Sequence, residues 1–166
     1  MRLCICGLHF VVGTLLITRK NVRQHGDLRD LLMAVPSLIV CGVAFKFAPS
    51  PAAWPVAAQV VFAIATLFAI TSLICLGRNF AVLPALRSVT TIGPYAWLRH
   101  PAYLGEAGMV IACWLAGPNW MSAAACALLV PMVMLRINAE ERVLRASFKY
   151  QSYAENVRWR LIPGIW

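Results

Sequence analysis

The apolar and polar positions along this chain fall into long apolar runs, not amphipathic stripes. Four runs, Leu3–Thr18, Leu31–Ala48, Ala52–Leu76 and Trp120–Ile137, are nearly free of charge; a fifth, Tyr103–Gly117, is shorter and contains Glu106. Crossing a hydrocarbon core about 30 Å thick takes roughly 20 helical residues, and it is this length that separates a span from a buried core helix. The third run crosses with room to tilt, whereas the first and fifth are marginal. The pattern predicts an all-α, polytopic membrane protein of about five transmembrane helices forming a single membrane domain over 1–166. Residues 1–76 read as a three-helix scaffold. Residues 77–166 read as a polar loop, a helix hairpin turning at Gly117-Pro118-Asn119 and kinked at Pro131, and a C-terminal tail.

Composition agrees with the runs: 61% of residues are hydrophobic, only 13% are charged, and the mean hydropathy is +0.73, where a soluble globule carries about 25% charged residues. The net charge of +9 invites a nucleic-acid reading, but the basic residues flank spans and do not form a stripe, so headgroup contact is the expectation and no nucleic-acid partner is expected. All of the 15 basic residues except Arg2 and Lys46 fall on one side of the five-span topology. The positive-inside rule makes that side cytoplasmic, with the N-terminus outside and the C-terminus inside, as in a bacterial inner membrane. No small-x-small site precedes Arg19, so the first run is expected to stay as a span. The six cysteines all lie within apolar runs without CxxC or zinc-type spacing; they read as small hydrophobes, and no metal is expected. Asp27 and Asp30 read as solvated loop charges, and His9 and His25 as packing or interfacial residues.

The second half departs from a generic span-and-loop pattern. Residues 77–103 are polar, aromatic and punctuated by Gly93-Pro94 and His100-Pro101, which disfavour continuous helix. The last run leaves the membrane through Arg136, Asn138, Glu140 and Glu141. On a helix Arg136 and Glu140 share a face, as do Asn138 and Glu141, and ionisable residues at the end of a span are functional candidates. The hairpin returns the chain to the side it left, so Tyr95–Gly105 and Arg136–Glu141 should lie side by side at the cytoplasmic interface.

Gly93-Pro94-Tyr95, Arg99-His100-Pro101-Ala102-Tyr103-Leu104-Gly105 and Glu140-Glu141 after an apolar hairpin resemble the signature of the isoprenylcysteine carboxyl methyltransferase family, which groups with the phospholipid methyltransferases. Leu76-Gly77-Arg78 and Val157…Leu161-Ile162-Pro163-Gly164 extend the resemblance over roughly 76–164. It implies an integral membrane methyltransferase with S-adenosylmethionine as cofactor in a cytoplasmic pocket. Carried over, it places the cofactor against Arg87, Ser88, Val89, Thr90, Tyr95, His100, Pro101, Ala102, Tyr103 and Glu140, and puts Arg136 on the methyl acceptor. His100 would donate to the methionine carboxylate, Glu140 would accept from the ammonium or ribose hydroxyls, and Tyr95 and Tyr103 would offer aromatic faces. The family often has His where Arg87 stands, and the tail around Lys149 departs from the family pattern, which leaves acceptor identity least transferable.

The implied acceptor is lipophilic: a prenylcysteine, an isoprenoid acid or a lipid entering from the bilayer. A carboxylate with a pKa of about 3.5 is ionised at neutral pH and needs no general base, and Arg136 would orient it. In the competing phospholipid N-methyltransferase reading the amine is protonated, and Glu141 or Glu106 would take its proton. An NADPH-dependent sterol-type reductase shares the Arg-His-Pro-x-Tyr element but is much longer. A small transporter would be expected to show buried charges or an internal repeat, which the runs lack.

Overall fold

The computed structural model describes residues 2–18, 24–25, 27–81, 85–86 and 88–166. It is an all-helical membrane architecture. Five apolar helices follow the expected order: α1 (Arg2–Thr18), α2 (Leu28–Phe47), α3 (Val56–Leu76), α4 (Pro101–Ala116) and α5 (Trp120–Leu144); a short α6 (Phe148–Asn156) precedes the tail. The stretches Leu28–Phe47, Val56–Asn79 and Trp120–Leu144 are long and apolar enough to cross a membrane, whereas α1 and α4 are shorter apolar helices. The two-residue strands β1 (Gln24–His25) and β2 (Ala85–Leu86) pair antiparallel between the loops.

Local chemistry explains the ends of these helices. Pro101 is the first residue of α4, where the missing N–H costs nothing. Asn119 caps α5: Ser122 N–H donates to its Oδ1 at 2.9 Å, and its own N–H donates to Ser122 Oγ at 3.1 Å. α5 runs through Pro131 without interruption and continues past the apolar run to Leu144. Hydropathy ended that run at Ile137, but the Ala, Glu, Arg and Leu residues beyond it are strong helix formers, so Glu140 and Glu141 project from a rigid helix.

Packing cuts across the division at residue 76. α3 packs most extensively on α4, and α2 on α5. The first pair is close because two glycines face it. A Cβ on Gly105 would stand 2.8 Å from Ala69 Cβ and 2.9 Å from the Ala65 carbonyl, and one on Gly108 would stand 2.7 Å from Ala65 Cβ. Close approach through small residues is how helices gain packing in lipid, where no hydrophobic drive separates them from solvent. Phe62, Val110, Cys113, Val133 and Ile137 form the sealed centre, while Phe10, Ile39, Ile64, Leu67 and Val130 point outward, as lipid-facing residues must. Asp30 departs from the sequence expectation: it is buried, not solvated. It accepts from Asp27 N–H at 3.1 Å and pairs with Arg142 at 3.0 Å, because the start of α2 packs beside the end of α5.

The tail closes the structure. Tyr153 on α6 donates to the Tyr95 carbonyl at 2.7 Å. The tail then runs alongside 98–100 in a parallel bridge, with Arg99 N–H donating to the Trp159 carbonyl and His100 N–H to the Arg160 carbonyl, both at 2.9 Å.

Candidate functional site

A cavity of about 340 Å³ lies where α1, α2, α3, α4, α5 and α6 converge, within the size range of small-molecule sites (about 300–1,000 Å³). Helical periodicity orders its wall by depth. At the outer level stand Asn79, Ser88 and Thr90 from the loop, Tyr95, and His100 at the start of α4. Asn79 ties this level together: its Nδ2 donates to Thr90 Oγ1 at 3.1 Å, and Ser88 Oγ donates to its Oδ1. One turn along α4 comes Tyr103, whose hydroxyl donates to Glu140 Oε2 at 2.7 Å. A further turn inward on α5 is Arg136, and on α4 Glu106, with Arg136 Nη1 3.6 Å from Glu106 Oε2. Apolar side chains complete the wall, among them Leu8 and Val12 from α1, Leu38 from α2, Ala69 and Leu73 from α3 and Met109 from α4.

His100 sits between two carboxylates. Its Nε2 lies 3.3 Å from Glu141 Oε1 and its Nδ1 3.6 Å from Glu140 Oε2. Burial pushes the imidazole toward its neutral form, but Glu140 and Glu141 outweigh burial and hold its pKa above the ordinary value. Tyr95 and Tyr153, outside the spans, are pushed up by burial and stay protonated, so Tyr153 remains the donor that holds α6 in place.

Of the residues anticipated from sequence, Ser88, Val89, Thr90, Tyr95, His100, Ala102, Tyr103, Glu140 and Arg136 all line this cavity. Arg87 lies outside the described residues. Pro101 is buried at the start of α4 and is not part of the wall. Glu141, expected as a proton acceptor beside the acceptor group, is not in the wall either. It lies in a cage of cations: Arg99 and Arg160 at 2.9 Å, Arg145 at 3.4 Å, and His100. A carboxylate so surrounded is poor at taking a proton and good at holding four side chains in place. Tyr103, in the wall as expected, is held from two sides. Arg136 Cζ stands 4.7 Å over its ring and the His100 ring lies parallel at 5.8 Å, so the phenol is engaged before any ligand arrives. The wall further includes Asn79, Arg99, Tyr150 and Tyr153, which were not singled out as site residues, and Glu106, which was weighed as a proton acceptor. Asn79 directly follows Leu76-Gly77-Arg78, and Tyr150 and Tyr153 lie three apart on α6, so position gave some signal for these three.

A family model described as phospholipid methyltransferase matches residues 54–151, which takes in α3, the loop, α4, α5 and the start of α6. The chain belongs to the phospholipid methyltransferase family. The solved structure of the eukaryotic intramembrane Ras methyltransferase ICMT (isoprenylcysteine carboxyl methyltransferase) is similar, at 26% identity and a TM-score of 0.58. The likeness covers 81% of this chain and 52% of that one, so this chain spans about half the length of its structural relative. No curated protein sequence matches it. Every wall residue from Leu73 to Tyr150 falls inside the family match, whereas α1 and α2 fall outside it. The wall of the cavity is therefore part family motif and part surface from α1 and α2.

Proposed function

We propose that this membrane methyltransferase uses S-adenosylmethionine to methylate a lipophilic carboxylate, in the manner implied by the name of its structural relative. The observation that carries the reading is the order of groups on α5: Glu140 and Arg136, one turn apart, line a single cavity together with polar side chains of the loop and apolar ones of α1, α2, α3 and α4. The outer level fits the cofactor. Glu140 accepts from an ammonium or from ribose hydroxyls, Asn79, Ser88 and Thr90 supply neutral donors and acceptors, and His100 acts by holding Glu140 in place. The cofactor, when bound, supplies an electrophilic methyl group on a sulfonium. Arg136 orients the acceptor carboxylate, which is already ionised at neutral pH, so the chain's contribution is positioning and exclusion of water with no general base. The apolar wall of Leu8, Val12, Leu38 and Met109 receives the lipid chain. In this reading the basic loops place the site at the cytoplasmic face of a bacterial inner membrane, with the N-terminus outside.

A lipid amine is the second reading, favoured by Glu106: it lines the same cavity beside Arg136 and is placed to take a proton from an ammonium. The family match leaves the reductase and transporter readings without support. Titration calorimetry of S-adenosylmethionine into the purified full chain tests the cofactor site. His100→Ala and Glu140→Gln should each abolish measurable binding, and wild-type affinity in both variants would sink it. Labelled-methyl transfer to an S-farnesyl N-acylcysteine, compared with membrane lipid extract, separates the two acceptor readings.

A further inference from the structure

The five long helices turn apolar side chains to the lipid, but large apolar residues are exposed outside them as well. Ile92, Trp97 (78% exposed), Phe148 (86%) and Ile165 stand at the end of the molecule where α4 begins and α5 finishes. Basic side chains crowd the same end. Residues 142–166 carry Arg142, Arg145, Lys149, Arg158 and Arg160 against the single acid Glu155, and all of these basic residues except Arg160 are exposed. The parallel bridge between Leu98 and Trp159 brings the two kinds of residue together. Leu98 is buried, whereas Trp97 and Arg158, which directly precede the bridged residues, are both exposed, so an indole and a guanidinium sit at one edge of the bridge. The other side of this strip serves the site. His100 N–H donates to the Arg160 carbonyl at 2.9 Å, and the Arg160 side chain reaches Glu141, which also holds His100.

We propose that this end of the chain binds the anionic phospholipid headgroups of the leaflet it faces, and that the bound headgroups hold residues 157–166 over the cofactor site. Exposing an indole, a phenyl ring and two isoleucines to water is unfavourable, whereas the membrane interface accepts apolar bodies beside polar groups. The spanning helices α3 and α5 already fix this end at the bilayer surface, so contact with lipid needs no recruitment. Apolar insertion alone would accept any lipid. The excess of basic side chains selects an anionic one, because each Lys or Arg at an anionic surface strengthens the contact about fivefold. Arg160 carries the coupling, standing two residues from Arg158 and within the cage of Glu141. A headgroup that favours the docked tail therefore favours the arrangement of His100 and Glu140 behind it, and by linkage the cofactor favours headgroup binding by the same factor. The coupling rests on the S-adenosylmethionine reading; the headgroup contact does not.

The test uses the full chain in nanodiscs of phosphatidylcholine alone and of equal parts phosphatidylcholine and phosphatidylglycerol. Amide hydrogen exchange over 157–166 should be about fivefold slower in the mixed discs, the scale of one basic side chain at an anionic surface. Equal exchange in both discs overturns the proposal. The double variant Lys149→Gln, Arg158→Gln should lose that difference. The Arg158 carbonyl, which accepts from Arg99 at 3.1 Å, is untouched by it, so the strip stays in place. Lys46→Gln, in the last turn of α2 at the far end of the molecule, should keep the difference. The same response in the double variant and in Lys46→Gln overturns the proposal. S-adenosylmethionine affinity should tighten by about the same factor in the mixed discs, and an affinity indifferent to lipid overturns the coupling. Fluorescence of Trp97, taken as the difference between wild type and Trp97→Phe, should be quenched more by brominated phosphatidylglycerol than by brominated phosphatidylcholine. Equal quenching makes Trp97 an unselective anchor and overturns the choice of anionic lipid. If wild type binds no S-adenosylmethionine in either disc, the proposed function fails, and exchange and quenching still decide whether this end binds anionic headgroups.

Discussion

Two glutamates in this molecule show how differently a buried carboxylate can be used. Glu141 is ringed by Arg99, Arg145, Arg160 and His100 and lies outside the cavity wall. Glu106 lines the cavity and faces one arginine at 3.6 Å and a thiol. The cage around Glu141 joins the start of α4, the end of α5 and the tail, so its charge is spent on architecture. Among the described residues Glu106 has one ionic partner, Arg136 at 3.6 Å, and it accepts from the Cys41 thiol. A carboxylate saturated with cations is a structural member, and an under-coordinated one beside a cavity is poised for a ligand.

Removing each charge should break this comparison most clearly. Glu141→Gln leaves several cations beside a neutral amide, two of them (Arg99 and His100) nearly buried. Breaking a buried pair by losing one partner costs about 3–5 kcal/mol, and because Arg145 and Arg160 reach solvent the lower end is expected. Thermal unfolding should show the loss, and hydrogen exchange should show faster opening at residues 157–166, which the cage pins to residues 98–100. Glu106→Gln should cost less, because it removes one ionic contact, with Arg136 at 3.6 Å, where Glu141→Gln removes four. Equal losses in the two variants would erase the distinction.

His100 offers a gentler probe, because raising the pH removes its charge without a mutation. Its folded pKa is raised by Glu140 and Glu141 against the effect of burial. The stabilisation from the charged imidazole is therefore complete below the unfolded value of about 6.5 and is lost as pH rises through the raised folded value. The difference in Tm between wild type and His100→Gln should be largest at mildly acid pH and shrink toward alkaline pH. Each tenfold difference in proton affinity is worth about 1.4 kcal/mol. A difference that grows with pH would show that His100 is held neutral.

The contrast between the glutamates also marks what the sequence could and could not reveal. The hairpin and its motif were legible because their information is local: prolines and glycines punctuate residues 93–101, and three- and four-residue spacing groups Arg136 with Glu140 and Asn138 with Glu141. The structure shows that second pairing directly, since Arg160 bonds Asn138 Oδ1 at 3.3 Å and Glu141 at 2.9 Å. The partners of these residues were not legible. Ser37 and Cys41 look like any small residues in an apolar run, and only the packing of α2 on α5 brings them to Arg136 and Glu106. The same packing buries Asp30, which by composition belongs to a polar loop. Adjacent glutamates point about 100° apart on a helix, which is why Glu140 lines the cavity and Glu141 turns to the arginines beside it.

Asp30 gives the smallest expected effect and the sharpest control. It is buried, but its partner Arg142 is 46% exposed, so water already solvates one side of the 3.0 Å pair. An ion pair with one hydrated partner contributes about 1 kcal/mol or less. The acceptor that Asp30 offers to Asp27 N–H survives in Asp30→Asn, which limits the loss to the charge itself, including its favourable placement at the start of α2. The variant should therefore unfold with a Tm only slightly below wild type and bind S-adenosylmethionine with unchanged affinity. Its position on α2 makes it informative: it alters the same helix as Ser37 and Cys41, at the opening turn and away from the cavity. If Asp30→Asn abolished S-adenosylmethionine binding as His100→Ala should, the seating of α2 as a whole, and not the side chains of the cavity wall, would govern the site.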